Sequence, residues 1–429
     1  MERYSSYKDS GISWIGDIPS HWNVIKLNHI FYHNTGKTLN SNLKGNNHPY
    51  LTTSNVYNGY FDLSILKEMP FLDDEIERYS VTAGDLLVCE GGDIGRCNIW
   101  KENYSICYQN HLHRLRAKID IKVEYYSFLI NHIKSLGIFD NMGKGIAIKG
   151  LSAATLGNTR LLLPPLAEQE KIVSYLEDKT SKIDAYVADK EKEIELLQEL
   201  KQKTIADAVT KGLNPDAKMK DSSSLISTFC PASWKIVRNK SFMSLTGVKV
   251  GNRADEYVLL SLTTKGIIVR DLESGKGKFP KDFDTYQFVR KGELVFCLFD
   301  IDETPRTVGL VDTEGMLTGA YTALKVNTEI ALPEYIYNYY LCVDNIKALK
   351  PYYSGLRKTV RADKFLQIYI PLPPLDEQRA IVSYIEEKCQ KIDSLTRELQ
   401  SEIDYLKEYK QRLIADCVTG QINVQKEVT

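Results

Sequence analysis

Two segments of this chain are near-copies of each other, and any fold proposed for it must build the same thing twice. Leu163 to Asn214 reads LPPLAEQEKIVSYLEDKTSKIDAYVADKEKEIELLQELKQKTIADAVTKGLN, and Leu372 to Asn423 reads LPPLDEQRAIVSYIEEKCQKIDSLTRELQSEIDYLKEYKQRLIADCVTGQIN; roughly half of the aligned positions are identical without a gap. The period is far longer than that of a solenoid repeat. Each copy opens on Pro-Pro, carries a Glu in its first turn (Glu168, Glu377), runs on without Pro or Gly, and stops near Gly212 or Gly420. Pro at the start, an acid near the positive end of the helix dipole and Gly past the end are boundary signals with a physical cause. Both copies are therefore predicted to be long helices. At 1.5 Å per residue, about 45 residues makes a rod of roughly 65 Å, near two turns of B-DNA.

The duplication reaches beyond the helices. Lys8-Asp9-Ser10 recurs as Lys220-Asp221-Ser222, and Pro19 and Trp22 recur as Pro231 and Trp234. Gly84-Asp85-Leu86 answers Gly292-Glu293-Leu294, each opening an apolar, strand-like run. A short amphipathic helix follows in both halves, with Tyr125, Tyr126, Leu129, Ile133 and Leu136 matching Tyr335, Ile336, Tyr339, Val343 and Ile346. The expected organisation is a globular domain over 1–162, a long helix over 163–214, a second globular domain over 215–371 and a distal helix over 372–429. The fold class is α+β, with two related α/β domains about a pseudo-twofold. Along the helices, Ile172, Leu176, Ile183, Val187, Ile194 and Leu197 form one apolar stripe, and Ile392, Leu395, Leu399, Ile403, Leu406 and Leu413 form the other. Such stripes bury against another helix, and the nearest partner is the copy in the same chain, closed as an antiparallel coiled-coil pair.

A chain of 429 residues with 43% hydrophobic content has ample material for packed cores. No apolar run approaches the twenty or so residues that span a bilayer, and the charged start lacks the apolar core of a secretory signal, so a cytoplasmic location without membrane contact is expected. The eight cysteines are scattered with no CxxC pair, which points to reduced structural thiols rather than a disulfide frame or zinc knuckle. The net charge of −1 hides an asymmetry: the globular segments sum to +1 and +4, while the two helical segments are −3 each. Positive charge sits in the globular parts, a mild bias that carries weight for nucleic acid only where it clusters.

No catalytic constellation emerges. Gly36-Lys37-Thr38 resembles the end of a phosphate loop, but Phe31 stands where that loop needs Gly. Leu163 and Leu372, before the Pro-Pro pairs, cannot accept a hydrogen bond from a target amine. Gly91-Gly92 with Gly95, and Gly143 with Gly145, lack the full dinucleotide-binding pattern. The seven histidines show no HExxH or HxE spacing. Asp73-Asp74 reads as solvated surface. The chain reads as a binder that is not an enzyme and holds neither metal nor cofactor.

LPPLxEQ opening a long helix, IVSYL or IVSYI after it, and IADxVT near its end, all present twice, resemble the specificity subunit of type I restriction-modification enzymes. YKDSGISWIGDIPSHWNVIKL and LLVCEGGDIGRCNIW are similar to the first target-recognition domain of that family, and LVFCLFDIDETPRTVGLV to the second. One departure is visible: the Trp-Ile-Gly-Asp-Ile-Pro motif of the first half has become SLISTFCP (Ser224 to Pro231) in the second. The resemblance implies a subunit without catalytic activity, whose two domains each read one half of a bipartite duplex sequence. It implies that the paired helices set the gap and dock two adenine methyltransferase subunits. Those partners would supply S-adenosylmethionine and flip the target base, and restriction subunits would add ATP- and Mg-dependent action. A coiled-coil protein scaffold, or a methylation-only or orphan specificity cassette, is the alternative.

Reading bases in the major groove requires Arg for guanine, Asn or Gln for adenine, and further Lys and Arg on phosphates. Arg96 and Arg306 follow the matching strand-like runs and are the leading candidates. Asn55, Asn110, Arg114 and Lys149 follow in the first half, with Lys265, Tyr321, Arg357, Lys358 and Arg361 in the second. The halves differ here, since Asn110 and Arg114 align with Ala320 and Leu324, so an asymmetric target is expected. Glu168-Gln169 and Glu377-Gln378 lie outside the apolar stripe and are candidates for partner docking, with helix-end electrostatics as the other reading.

Overall fold

The computed structural model describes residues 2–39, 45–142, 150–222, 224–270, 283, 285–355 and 358–426. The chain divides into two compact units, one made of residues 1–190 with 401–429 and the other of residues 191–400. Each therefore combines a globular head with one end of each long helix.

In the first unit the strands are β1 (Tyr7–Asp9), β2 (Asp17–Pro19), β3 (Asn23–Lys26), β4 (Phe31–Thr35), β5 (Asn46–Leu51), β6 (Lys67–Phe71), β7 (Ser80–Val81), β8 (Leu86–Cys89), β9 (Cys97–Ile99), β10 (Ile106–Tyr108), β11 (Leu112–Ala117) and β12 (Arg160–Leu163). They form two four-stranded sheets, in the orders β6-β5-β10-β7 and β4-β11-β8-β9, with β1-β2 and β3-β12 as separate pairs. Every pairing is antiparallel except β5 with β10. All four side chains of β8 are buried, as expected of an inner strand with both faces covered, which is why Leu-Leu-Val-Cys reads as an unbroken apolar run. Leu87 and Cys89 face a core with Trp100, Ile106 and Tyr108. The first head helix, Val123–Ser135, buries Tyr125, Tyr126, Leu129, Ile130 and Ile133, the expected stripe apart from Leu136, which is exposed at the helix end.

The second unit repeats this frame with β13 (Met219–Asp221), β14 (Phe229–Pro231), β15 (Lys235–Arg238), β16 (Met243–Leu245), β17 (Val248–Lys249), β18 (Leu260–Thr263), β19 (Gly266–Val269), β20 (Gln287–Val289), β21 (Leu294–Phe296), β22 (Val308–Leu310), β23 (Gly315–Leu317), β24 (Thr322–Val326) and β25 (Tyr369–Leu372). Its four-stranded sheet, β16-β24-β21-β22, matches β4-β11-β8-β9, and β15-β25 matches β3-β12. The hairpin β13-β14 pairs Lys220 with Cys230 as β1-β2 pairs Lys8 with Ile18, so the SLISTFCP departure keeps the turn while changing its side chains. The heads part company at the other sheet: among the described residues, a three-stranded β17-β20-β23 and a hairpin β18-β19 stand where the first head has β6-β5-β10-β7. The second head helix is Pro333–Asn345.

The long helices are Leu166–Lys211 and Leu375–Val418, unbroken and bounded as the Pro-Pro and Gly signals predict. In the first unit Asp184 pairs with Lys410 at 2.6 Å and Lys190 with Glu402, so one number falls as the other rises and the helices run antiparallel. In the second unit Lys201 meets Asp393 at 2.6 Å. Ile172, Leu176, Ile183, Val187, Ile392, Leu399, Ile403 and Leu413 are buried, and Ile194, Leu197 and Leu406 are half-buried. Leu395 departs from the expected interface: it is 40% exposed. A single partner helix covers a narrow seam, and the apolar stripe of the second helix is wider than that seam.

Candidate nucleic-acid interface

The heads are held to the helices by one device, built twice. Trp22 is fully buried; its Nε1 donates to Glu168 at 2.9 Å, in the first turn of the first long helix. The same indole lies against Gly420 just past the end of the second long helix, where φ is +74° and a Cβ would meet Trp22 and Pro19. Glycine is required there because the chain takes the left-handed C-cap conformation and the ring occupies the side-chain space. Trp234 does the same for the second head, donating to Glu377 at 2.9 Å and packing on Gly212, with φ +70°. The orphan carbonyls at the helix ends are also met from the heads: Tyr125 Oη donates to Val418 O at 2.8 Å and Tyr335 Oη to Val209 O at 3.2 Å.

Glu168, Gln169, Glu377 and Gln378 belong to this device, and the structure redirects the docking expectation for them. Glu168 also accepts from Tyr4 and His21. Gln169 is 1% exposed, accepting from Lys122 N and donating to Pro164 O; Gln378 is fully buried, accepting from Leu332 N and donating to Pro373 O. All four side chains bond to the chain's own heads; Glu168, Gln169 and Gln378 are buried, and Glu377 is half-buried. The repeated pairing of Trp with Glu, at Trp22/Glu168 and Trp234/Glu377, was the signal in the sequence that could have found them.

The sequence candidates separate by environment. In the first head, Arg96 follows a tight loop in which Gly92 and Gly95 have φ +74° and +79°. Its guanidinium donates to Thr53 O at 2.6 Å, approaches Asp93 at 3.5 Å and covers the Tyr57 ring at 4.9 Å, so it braces the loop. Asn55 is buried and internally committed, accepting from Thr52 N and donating to Asp62 O and Ile65 O. Arg114 is 8% exposed and donates to Ser80 O. Placing Asn55 or Arg114 on a base edge would strip buried backbone groups of their partners, so both serve the fold. Asn110 is half-buried at the turn before β11. Lys149 lies outside the described residues. Lys37, of the false phosphate loop, is buried against Pro70 O and Glu75.

In the second head, Arg306 bonds Asp344 at 3.2 Å and Asn345 at 3.3 Å. Tyr321 is half-buried and stacked on Phe299. Lys358, with φ +46°, reaches Asp302 and Glu303 at 3.2 Å each, which together raise its ammonium pKa. Arg361 is exposed and bidentate to Asp363. Lys265 stands exposed in the β18-β19 turn with no carboxylate partner among the described residues. Arg357 lies outside the described residues. Lys265, Lys358 and Arg361 are thus the candidates whose charge remains at a surface, whereas Arg96 and Arg306 brace loops.

A histidine pair joins neighbouring strands of the first head's sheet, half-buried His33 on β4 and His113 on β11. His113 is fully buried and lies 2.7 Å from Leu151 O through Nε2. A carbonyl accepts, so Nε2 carries the proton and Nδ1 must accept from His33 Nε2 at 3.0 Å. Burial and the neighbouring ring lower the His33 pKa to about 4, and burial lowers that of His113. Since the folded value lies below the unfolded 6.5, the pair's contribution is intact above pH 6.5 and lost as pH falls towards 4. Unfolding monitored between these limits should show a loss of roughly 3 kcal/mol for His33 alone. His33→Gln should flatten that acid limb; an unchanged limb would place its cause elsewhere.

Among the described residues no helix is long and apolar enough to cross a membrane, and no group of three or more His, Cys, Asp or Glu is placed to hold a metal ion. The fold is similar to that of chains solved before. It matches, with a TM-score of 0.71 at 16% identity over 94% of this chain and 99% of the other, a chain from a structure reported as the basis of complex assembly and conformational transition of the type I R-M system. It also matches the HsdS subunit from Thermoanaerobacter tengcongensis, with a TM-score of 0.53 at 16% identity over 94% and 98%. The family model described as type I restriction modification DNA specificity domain matches residues 19–196 and 300–405. The chain belongs to that family, as a type I restriction-modification specificity subunit. Among its relatives are a putative type I restriction enzyme MjaX specificity subunit of Methanocaldococcus jannaschii, 25% identical over 96% of each chain, and the EcoBI specificity subunit of Escherichia coli, 23% identical over 81% of this chain and 76% of the other. The family description and the names of these relatives make DNA specificity the role of such a subunit.

Proposed function

We propose that this subunit reads an asymmetric, two-part duplex sequence in the cytoplasm, one part by each head. The recognition domains would span 1–162 and 215–371, and the long helices would set the gap and carry two methyltransferase subunits. The observation that carries this reading is the contrast between a repeated frame and an unrepeated edge. Both heads grip the helices through the same Trp, Glu, Tyr and Gly contacts, yet one adds β6-β5-β10-β7 and the other β17-β20-β23 with the β18-β19 hairpin. Two heads fixed alike but faced differently suit a ligand whose two ends differ.

Selection of bound duplexes from a random pool, using the subunit with its methyltransferase partner, is expected to return two unlike blocks at constant separation. Lys265→Ala and Arg361→Ala should weaken binding through the second block and lower the salt slope by about one each, as loss of a phosphate contact does. A single palindromic block, or no sequence preference, would refute the bipartite reading; the latter is what a protein scaffold gives.

A further inference from the structure

The duplicated frame allows the same place to be compared in both units, and at one place they differ in kind. In the first unit a cleft of about 430 Å³ lies between the first head helix and the paired long helices. Its wall includes Ser127 and Asn131 from the head helix and Thr180 from the first long helix. The equivalent positions in the second unit are Tyr337, Leu341 and Cys389, and all three pack on that unit's core. Tyr337 sits near Arg306, Asp312 and Lys201, where head meets helix, and so places a large side chain at the position where the first unit has Ser127. The surroundings are otherwise matched: Asp184 with Lys410 in the first unit and Asp393 with Lys201 in the second are equivalent ion pairs at 2.6 Å.

The cleft's chemistry narrows what it would take. Asn131 Oδ1 is buried without a hydrogen-bond partner among the described residues. An orphan acceptor of this kind calls for a donor. Glu124 and Glu177 also line the cleft, and neither is in an ion pair among the described residues. With Asp184 they make three carboxylates against the two ammonium groups of Lys101 and Lys410, and Lys410 is already taken by Asp184. His132, on the same wall, adds no positive charge near neutrality, because burial lowers its pKa. Ile99, Phe128 and Ile414 supply apolar wall between the polar groups. A ligand suited to this lining donates hydrogen bonds, bears positive charge and has an alkyl stem.

We propose that this cleft binds a diamine or polyamine, one ammonium group donating to Asn131 Oδ1 and to the carboxylates of Glu124 and Glu177 while the methylene chain lies on Ile99, Phe128 and Ile414. Its lining is not repeated at the equivalent positions of the second unit, Tyr337, Leu341 and Cys389, so it marks one head of a molecule whose frame is otherwise repeated. Such a site differs from DNA recognition in needing no nucleic acid and no partner subunit.

Calorimetric titration of the full chain with spermidine, without DNA, tests the proposal. Saturable binding of one spermidine per chain is expected, with no binding of uncharged hexanediol. The double variant Ser127→Tyr, Asn131→Leu copies the second unit and should weaken spermidine by about tenfold or more, equivalent to about 1.4 kcal/mol, while its unfolding midpoint holds or rises. Glu124→Gln, a change at a half-buried position on the head helix, should weaken it several-fold with folding unchanged, which keeps the test decisive if the double variant misfolds. Absence of saturable binding, equal binding of hexanediol, or undiminished binding by Glu124→Gln would each overturn the assignment.

Discussion

Trp22→Ala is expected to destabilise the first unit by about 3–5 kcal/mol, the range for truncating a fully buried aromatic side chain. The indole is buried and touches two helix ends at once, through Glu168 and through Gly420, so its loss opens a cavity and removes a donor from a carboxylate. Trp22→Phe separates the two effects, since the ring is kept and the N–H removed. Glu168 then retains Tyr4 at 3.1 Å and His21 at 2.6 Å, and a cost of about 1 kcal/mol is expected. The matching Trp234→Phe should cost more, about 2–3 kcal/mol, because the 2.9 Å bond from Trp234 is the one hydrogen bond to the Glu377 side chain among the described residues. Urea unfolding followed by circular dichroism measures all three; equal costs for the two Phe variants would refute the difference in carboxylate partners.

The second large effect is expected at Asp344. It is 3% exposed and accepts from Thr307 N at 3.1 Å, Thr307 Oγ1 at 2.6 Å, Arg306 at 3.2 Å and Lys347 at 2.7 Å. Removing one member of a buried ion cluster costs about 3–5 kcal/mol, because its partners are left desolvated and unpaired, so Asp344→Ala should sit in that range. Asp93 in the first head supplies the control. It too meets an Arg and a Lys, Arg96 at 3.5 Å and Lys134 at 2.9 Å, but its side chain is 45% exposed. Water screens such a pair, and Asp93→Ala should cost less than about 1 kcal/mol. In duplex selection, Asp344→Ala should blur the second block and leave the first intact, since Arg306 loses the anchor that holds its loop. Comparable losses from the two Asp variants would contradict the dependence on burial.

The helices were legible because their signals are local. Pro-Pro, an early Glu and a terminal Gly act within one turn, and they placed both helices to within a few residues of Leu166–Lys211 and Leu375–Val418. Eight of the twelve stripe positions are buried, three are half-buried and Leu395 is exposed, because periodicity marks an apolar face without saying how much of it a partner covers. The candidate base readers were less legible. Arg96, Asn55 and Arg114 have the donors that base edges require, but those donors are equally suited to carbonyl oxygens, and Thr53, Asp62, Ile65 and Ser80 take them. Residue type specifies what a side chain can bond and leaves open which partner lies within reach.

Duplication, helix ends and the order head, helix, head, helix were written into the chain, since each rests on residues a few positions apart or on two segments that read alike. The folded arrangement alone revealed that Glu168, Gln169, Glu377 and Gln378 bond to their own heads, that Trp22 joins the start of one helix to the end of the other, and that Ser127 lines a cleft where its counterpart Tyr337 packs on a core. Those facts depend on groups brought together across 146 residues for Trp22 and Glu168, or 293 for Tyr125 and Val418, and contacts at such separations follow from packing, not from any pattern along the backbone.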